Sequence, residues 1–173
     1  MALFDDQQMT PGQSQQSKLI VCFKIAQKEY AVEIERVKEI IYSKTVIPLP
    51  DTSGVIEGVI DLRGTVVPVV DLKKRLNAAG EGLTQAEHIL IVETRRRKLG
   101  LIVDRVSGVA GVDEKQIQSS RDFMDREISC LKGICRFEDR LILLIDLERL
   151  WTNSDMSHIE STLKTPVIDE RAE

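Results

Sequence analysis

The stretch Gly58–Leu76, GVIDLRGTVVPVVDLKKRL, decides how this chain folds. Val59, Asp61 and Arg63 alternate with Ile60 and Leu62, the period-two pattern of a strand with one apolar and one largely polar face. Gly64 and Thr65 read as a turn. Val66 to Val70 is apolar at every position, which predicts a strand covered on both faces. Asp71 suits a helix N-cap, because its carboxylate can accept the backbone N–H groups that a first turn leaves unpaired; Lys73, Lys74 and Arg75 then fall toward the negative end of that turn.

The same pattern returns at Gly133–Trp151, GICRFEDRLILLIDLERLW, and aligns without a gap at an offset of 75: Gly58 with Gly133, Val66 with Leu141, Asp71 with Asp146. Upstream, Leu19–Ile40 matches His88–Val109 at an offset of 69, with Ile34-Glu35-Arg36-Val37 over Val103-Asp104-Arg105-Val106. The matched pieces keep their order, so the chain carries an internal duplication and predicts two similar all-β units. Gly80 and Gly82 lie in the small, polar connector Asn77–Ala86, which places the boundary near residue 80.

Around this repeat, Met1–Ser17 is rich in Gln and Ser and reads as a flexible tail; residues 152–173 read as a polar tail in which Ile159–Leu163 can form a frayed turn. Leu19–Ile25 and Glu29–Ile34 are expected as a hairpin, Val37–Tyr42 as a further extended piece, and Val46–Pro50 as extended because each proline restricts its predecessor. His88–Thr94 and Leu99–Val103 make the matching hairpin, with Arg95-Arg96-Arg97-Lys98 at its tip. Asp113–Ser129 is polar, a short helix or a long loop.

With 173 residues, 42% hydrophobic and 30% charged, the chain has enough apolar material for one compact double unit. A net charge of −4 argues against general nucleic-acid binding, and 4% aromatic residues leave few stacking faces for single strands. The Arg95–Lys98 run is expected as a solvated turn; a phosphate-binding patch is the alternative. Cys22, Cys130 and Cys135 form no CxxC pair, and His88 and His158 sit in no spacing that would bind zinc or activate a nucleophile. GxSxG, GxGxxG and GxxxxGK[ST] are missing, so no catalytic residue, cofactor or metal is expected. No apolar run approaches the roughly 18 residues of a membrane span.

The run EGVIDLRGTVVPVVDLKKRL, preceded by YAVEIERVKEI and VIPLP and followed by GLIVDRVSGV, closely resembles the CheW family of bacterial chemotaxis coupling proteins. The likeness runs from about Lys18 to Trp151. It implies an all-β fold of two similar SH3-like five-stranded barrels with short helical turns, barrel one about 18–80 and barrel two about 81–151. It also implies a non-enzymatic, cytoplasmic adaptor that joins the tips of chemoreceptors, the methyl-accepting chemotaxis proteins of membrane-bound arrays, to the regulatory domain of the histidine kinase CheA. A chemotaxis-like pathway controlling pili, gliding or gene expression is the alternative. By the same resemblance the receptor-facing positions are Val37, Glu39, Gly58 and Arg63, and Ile34 and Val37 lie near the kinase-facing surface. Asp61 stands where many relatives carry Asn, placing a negative charge two residues from Arg63. Only 22 residues follow Trp151, so the receiver domain of the related CheV architecture is not expected.

Overall fold

The computed structural model describes residues 17–42, 45–49, 56–76, 88–122, 130–151 and 153–164. The first half supplies β1 (Ser17–Ile25), β2 (Lys28–Glu33), β3 (Val37–Ile41), β4 (Ile56–Leu62), β5 (Thr65–Asp71) and the short helix α1 (Leu72–Arg75). The second supplies β6 (His88–Glu93), β7 (Lys98–Val103), β8 (Arg105–Asp113), β9 (Ile117–Ser119), β10 (Leu131–Phe137), β11 (Arg140–Ile145) and helix α2 (Asn153–Lys164). The fold is all-β, as the alternation of apolar and polar residues implies.

The strands form two sheets, ordered β8-β1-β2-β11-β10-β9 and β3-β6-β7-β5-β4. The expected boundary near residue 80 therefore divides the repeat in sequence but not the sheets. Hairpin β1–β2 of the first half sits in the sheet built from β8 to β11, and hairpin β6–β7 of the second half sits among β3, β4 and β5. The spans 18–80 and 81–151 have exchanged their opening hairpins. The exchange is made by two parallel pairings in the same register: Val69 opposite Gly100, and Leu144 opposite Ala31, which are equivalent pairs under the duplication.

Each sheet curls around its own apolar interior. Ile60, Leu62, Val67, Val69, Ile89 and Ile91 fill one, and Ile20, Cys22, Cys135, Phe137, Ile142 and Leu144 fill the other. A larger cluster including Phe23, Tyr30, Val70, Leu101, Leu147 and Trp151 takes side chains from both sheets. Burying a Val, Leu, Ile or Phe side chain is worth about 1.5–3 kcal/mol, so these clusters dominate the stability.

The repeated glycines are explained by a close backbone approach. At Gly133 a Cβ would stand 2.6 Å from the Gln118 carbonyl oxygen; at Gly58 it would overlap the Ile47 carbonyl, with the carbonyl carbon at 2.8 Å. Ile47 is tied there by two hydrogen bonds to Val59, at 2.8 and 2.9 Å, as the extended Val46–Pro50 reading expects. Both glycines also mark a register shift in their hairpins.

Several expectations need correction. Leu62 pairs with Thr65, so the turn is Arg63-Gly64 and Arg63 lies outside the strand at φ +53°. Val66 is 56% exposed, whereas Val67 to Val70 are buried; one end of the apolar run projects beyond the packed region. The hairpin expected from Leu19–Ile25 and Glu29–Ile34 turns at Ala26-Gln27, and its second strand begins at Lys28 and ends at Glu33. Asp113–Ser129 contains two 3-10 turns, Glu114–Gln116 and Ser120–Asp122, flanking β9; residues 123–129 lie outside the described residues, as do 1–16, 77–87 and 165–173. Within 152–173, α2 is a docked helix and not a frayed turn: Ile159 is fully buried in the shared core, and Asp155 and Glu160 pair with Arg75 and Arg96 at 3.3 and 2.9 Å.

Candidate partner-binding surface

A two-residue hairpin turn with right-handed strand twist needs positive φ, which costs most residues about 1–2 kcal/mol. Arg63 and Gly64 adopt φ +53° and +90°, and the Asp61 carboxylate closes the turn by accepting the Gly64 amide at 2.8 Å. The equivalent Glu138 is at φ +57°, so hairpin geometry and not a special role of Arg63 imposes this conformation. Asp61 thus has a structural task at the position where the resemblance expects Asn, whose side-chain oxygen could accept the same bond.

The turn carries the Arg63 side chain outward, 72% exposed, to the opposite edge of its own sheet. There Glu39 on β3 receives it in a bidentate pair, Nη2 to Oε1 at 2.7 Å and Nη1 to Oε2 at 3.3 Å. A planar guanidinium facing a carboxylate fixes orientation as well as charge. Arg63 has five N–H donors and Glu39 takes two, so three remain directed at solvent.

Of the residues implied by resemblance, the structure brings Glu39 and Arg63 together. Ile34 belongs to the 3-10 turn Ile34–Arg36 and Val37 opens β3; both are partly buried against the shared core. Gly58 stands apart from this exposed pair, buried beneath Ile47. The Ile34–Val37 turn is anchored by Arg36, which donates to the Glu93 carbonyl at 3.2 Å and to Glu148 at 2.8 Å.

The Arg95–Arg97 tip is partly spent inside the molecule. Arg96 pairs with Glu160, and the Arg95 amide donates to Glu148 at 3.0 Å. A depression lined by Glu33, Arg36, Lys132, Ile145, Asp146 and Leu147 is likewise balanced: Lys132 and Lys18 hold Glu33, and Arg36 holds Glu148. Burial alone would raise the Glu33 carboxyl, but hydrogen bonds from the two ammonium groups outweigh it and hold it below the usual range. Burial pushes the Cys22 thiol up to about 12, so it is not a nucleophile. Among the described residues, no group of three or more His, Cys, Asp and Glu side chains is placed to hold a metal, and no helix is long and apolar enough to cross a membrane.

Sequence reasoning missed Val66, Leu141 and the docked helix. The first two had a signal, since they are equivalent positions of the repeat and both are exposed, at 56% and 52%. The helix had a signal as well, Met156, Ile159 and Leu163 at spacings of three and four in an otherwise polar segment.

The family model described as CheW-like domain matches residues 19–155. The chemotaxis protein CheW of Bacillus subtilis (strain 168) is 36% identical over 130 residues, covering 75% of this chain and 83% of the relative. That of Rhizobium meliloti (strain 1021) is 31% identical over 137 residues, covering 79% and 88%. The crystal structure of the scaffolding protein TtCheW from Thermoanaerobacter tengcongensis superposes with a TM-score of 0.73 at 35% identity, covering 80% of this chain and 94% of that one. Repeat, two-sheet topology and matched span all coincide, and the chain belongs to the CheW-like domain family of bacterial chemotaxis proteins.

Proposed function

We propose that the protein is a non-enzymatic adaptor that couples the cytoplasmic tips of chemoreceptors to the histidine kinase CheA. The supporting observation is the Arg63–Glu39 pair: a guanidinium fixed in orientation, largely exposed and with donors to spare, on a sheet edge two residues from Val37. An exposed pair adds little to folding, on the order of 0–1 kcal/mol, so its value lies in recognition. The spare donors suit carbonyl and carboxylate acceptors on a receptor helix tip. Ile34 and Val37, one turn away, offer the apolar part of a kinase contact.

Co-sedimentation with a receptor cytoplasmic fragment and the kinase, reading autophosphorylation, tests this. Arg63→Ala is expected to abolish receptor-dependent kinase activation while changing stability by less than about 0.5 kcal/mol. Glu39→Gln, which removes the orienting charge, is expected to weaken it less. A variant that unfolds would make Arg63 structural; one that couples as well as the parent would remove it from the site.

A further inference from the structure

The duplication sets the same pair of charges, an acid followed by an arginine, where the chain crosses between the sheets: Glu35-Arg36 between β2 and β3, and Asp104-Arg105 after β7. The two crossings use the pair in opposite senses. In the second the acid is held: Asp104 is buried, accepts the Ala26 amide at 2.8 Å and pairs with Lys73 at 2.9 Å. Its Arg105 is exposed, with no hydrogen-bond or ion-pair partner among the described residues. In the first the arginine is held: Nη1 of Arg36 donates to the Glu148 carboxylate at 2.8 Å and to the Glu93 carbonyl at 3.2 Å. Its Glu35 is exposed and has no such partner among the described residues. Chain geometry accounts for the difference. Asp104 is the single residue between two strands, whereas Ile34–Arg36 is a 3-10 turn, in which successive side chains point about 120° apart. Anchoring Arg36 therefore sends Glu35 outward.

We infer that Glu35 is a specificity-determining contact of the kinase-facing turn, made for a cationic side chain of the kinase, and that Arg36 is the positioning residue that presents it. The inference rests on the reading of Ile34 and Val37 as that surface. Lys38 pairs with Glu93 at 3.3 Å and Arg36 with Glu148, so both cations of the segment Ile34–Lys38 are engaged within the molecule. Glu35 is the charge that this segment leaves uncompensated among the described residues. It stands between Ile34 and Val37, two aliphatic side chains that are only partly buried. Exposed and unpaired, it contributes little to folding. A partner that covers the two aliphatic groups strips water from around the carboxylate, which strengthens a pair with a cation and penalises a partner that brings none. The turn itself is held by few bonds, the Val37 amide donating to the Ile34 carbonyl and Arg36 reaching β6 and the segment after β11. Without Arg36 the carboxylate loses its fixed direction.

Binding kinetics of the full chain against the full-length kinase, at low and high salt, test this, with the receptor cytoplasmic fragment as a second arm. The parent protein is expected to associate with the kinase more slowly as salt rises. Glu35→Gln should slow association about threefold and flatten the salt dependence, and Glu35→Lys should weaken the complex roughly tenfold or more. Neither should change receptor binding or the thermal midpoint. Arg36→Ala should speed dissociation from the kinase, and Arg36→Lys, whose single ammonium can stand where Nη1 stands, should restore it. In the Glu35→Gln background Arg36→Ala should add little, because a residue that acts through Glu35 then has no charge to position; a merely structural arginine would give additive losses. A parent protein that does not bind the kinase would overturn the functional reading and this inference together. If the parent binds, a Glu35→Lys variant that binds equally well, a loss seen with the receptor and not the kinase, or additive losses at Glu35 and Arg36 would overturn the inference and leave that reading standing.

Discussion

The two exchanged hairpins are held at their tips by the same bond made from different places. The amide of Ala26, at the β1–β2 tip, donates to Asp104 at 2.8 Å; the amide of Arg95, its equivalent at the β6–β7 tip, donates to Glu148 at 3.0 Å. Asp104 follows β7 and is neutralised by Lys73 at 2.9 Å; Glu148 follows β11 and is neutralised by Arg36 at 2.8 Å. Lys73 and Glu148 are themselves equivalent positions of opposite charge, as are Arg63 and Glu138. After the duplication the topology stayed fixed while the charges were resolved separately in each half. An amide at a hairpin tip that pairs in no ladder takes an acceptor, and any carboxylate within reach will serve.

The largest test of this equivalence is in the barrel interiors. Leu144→Asp and Val69→Asp each place an unpaired carboxylate at a parallel junction that is essentially closed to solvent, and each should cost more than about 4 kcal/mol and collapse the fold. A soluble variant with an unchanged denaturation midpoint would show that its half is not packed as described.

The junctions should respond unequally. Asp104 is 5% exposed, and Asp104→Ala leaves the Lys73 ammonium buried and the Ala26 amide without its acceptor, for a loss of about 3 kcal/mol. Glu148 and Arg36 are wetter, so Glu148→Ala should cost about 1 kcal/mol. Equal losses by urea denaturation would mean that burial does not separate the two.

The repeated glycines should behave alike. Gly58→Ala and Gly133→Ala drive a Cβ into a neighbouring backbone carbonyl, and each should cost about 2 kcal/mol. A loss confined to Gly133→Ala would show that Ile47, held by a single bridge, gives way where β9 cannot.

The smallest effect is a pH dependence present in one half only. His88 occupies the position of Leu19, and its Nδ1 accepts the Val106 amide at 3.0 Å. Burial, with the nearby Arg105 charge, lowers its pKa. A histidine lowered in the folded state contributes stability that is full above its unfolded pKa, about 6.5, and is lost as pH falls through the lower folded value. The thermal midpoint should therefore drop on mild acidification, and His88→Leu, copying the other half, should flatten that drop.

Much of the candidate site could be read in the chain itself. Arg63 and Glu39 are singled out by resemblance. That they meet required the sheet to curl until β3 reached the β4–β5 turn, a closure that no local pattern records. Val66 failed because an unbroken apolar run carries no periodicity to mark where cover ends. Asp104, read along the strand, is one more charged residue near a turn, and only its burial beside Lys73 sets it apart.

The order of residues alone determined the duplication, the hairpins, the Asp71 cap, whose carboxylate accepts the Lys73 amide at 2.9 Å, and the family. These depend on alternation, turn chemistry and spacing, all of which are local. Only the tertiary structure decided which half each hairpin joins, because a hairpin shows the same faces to either sheet and the parallel registers that settle the choice link strands distant in the chain. It also decided which of two equivalent charges is buried, since burial depends on what the rest of the molecule lays over a residue.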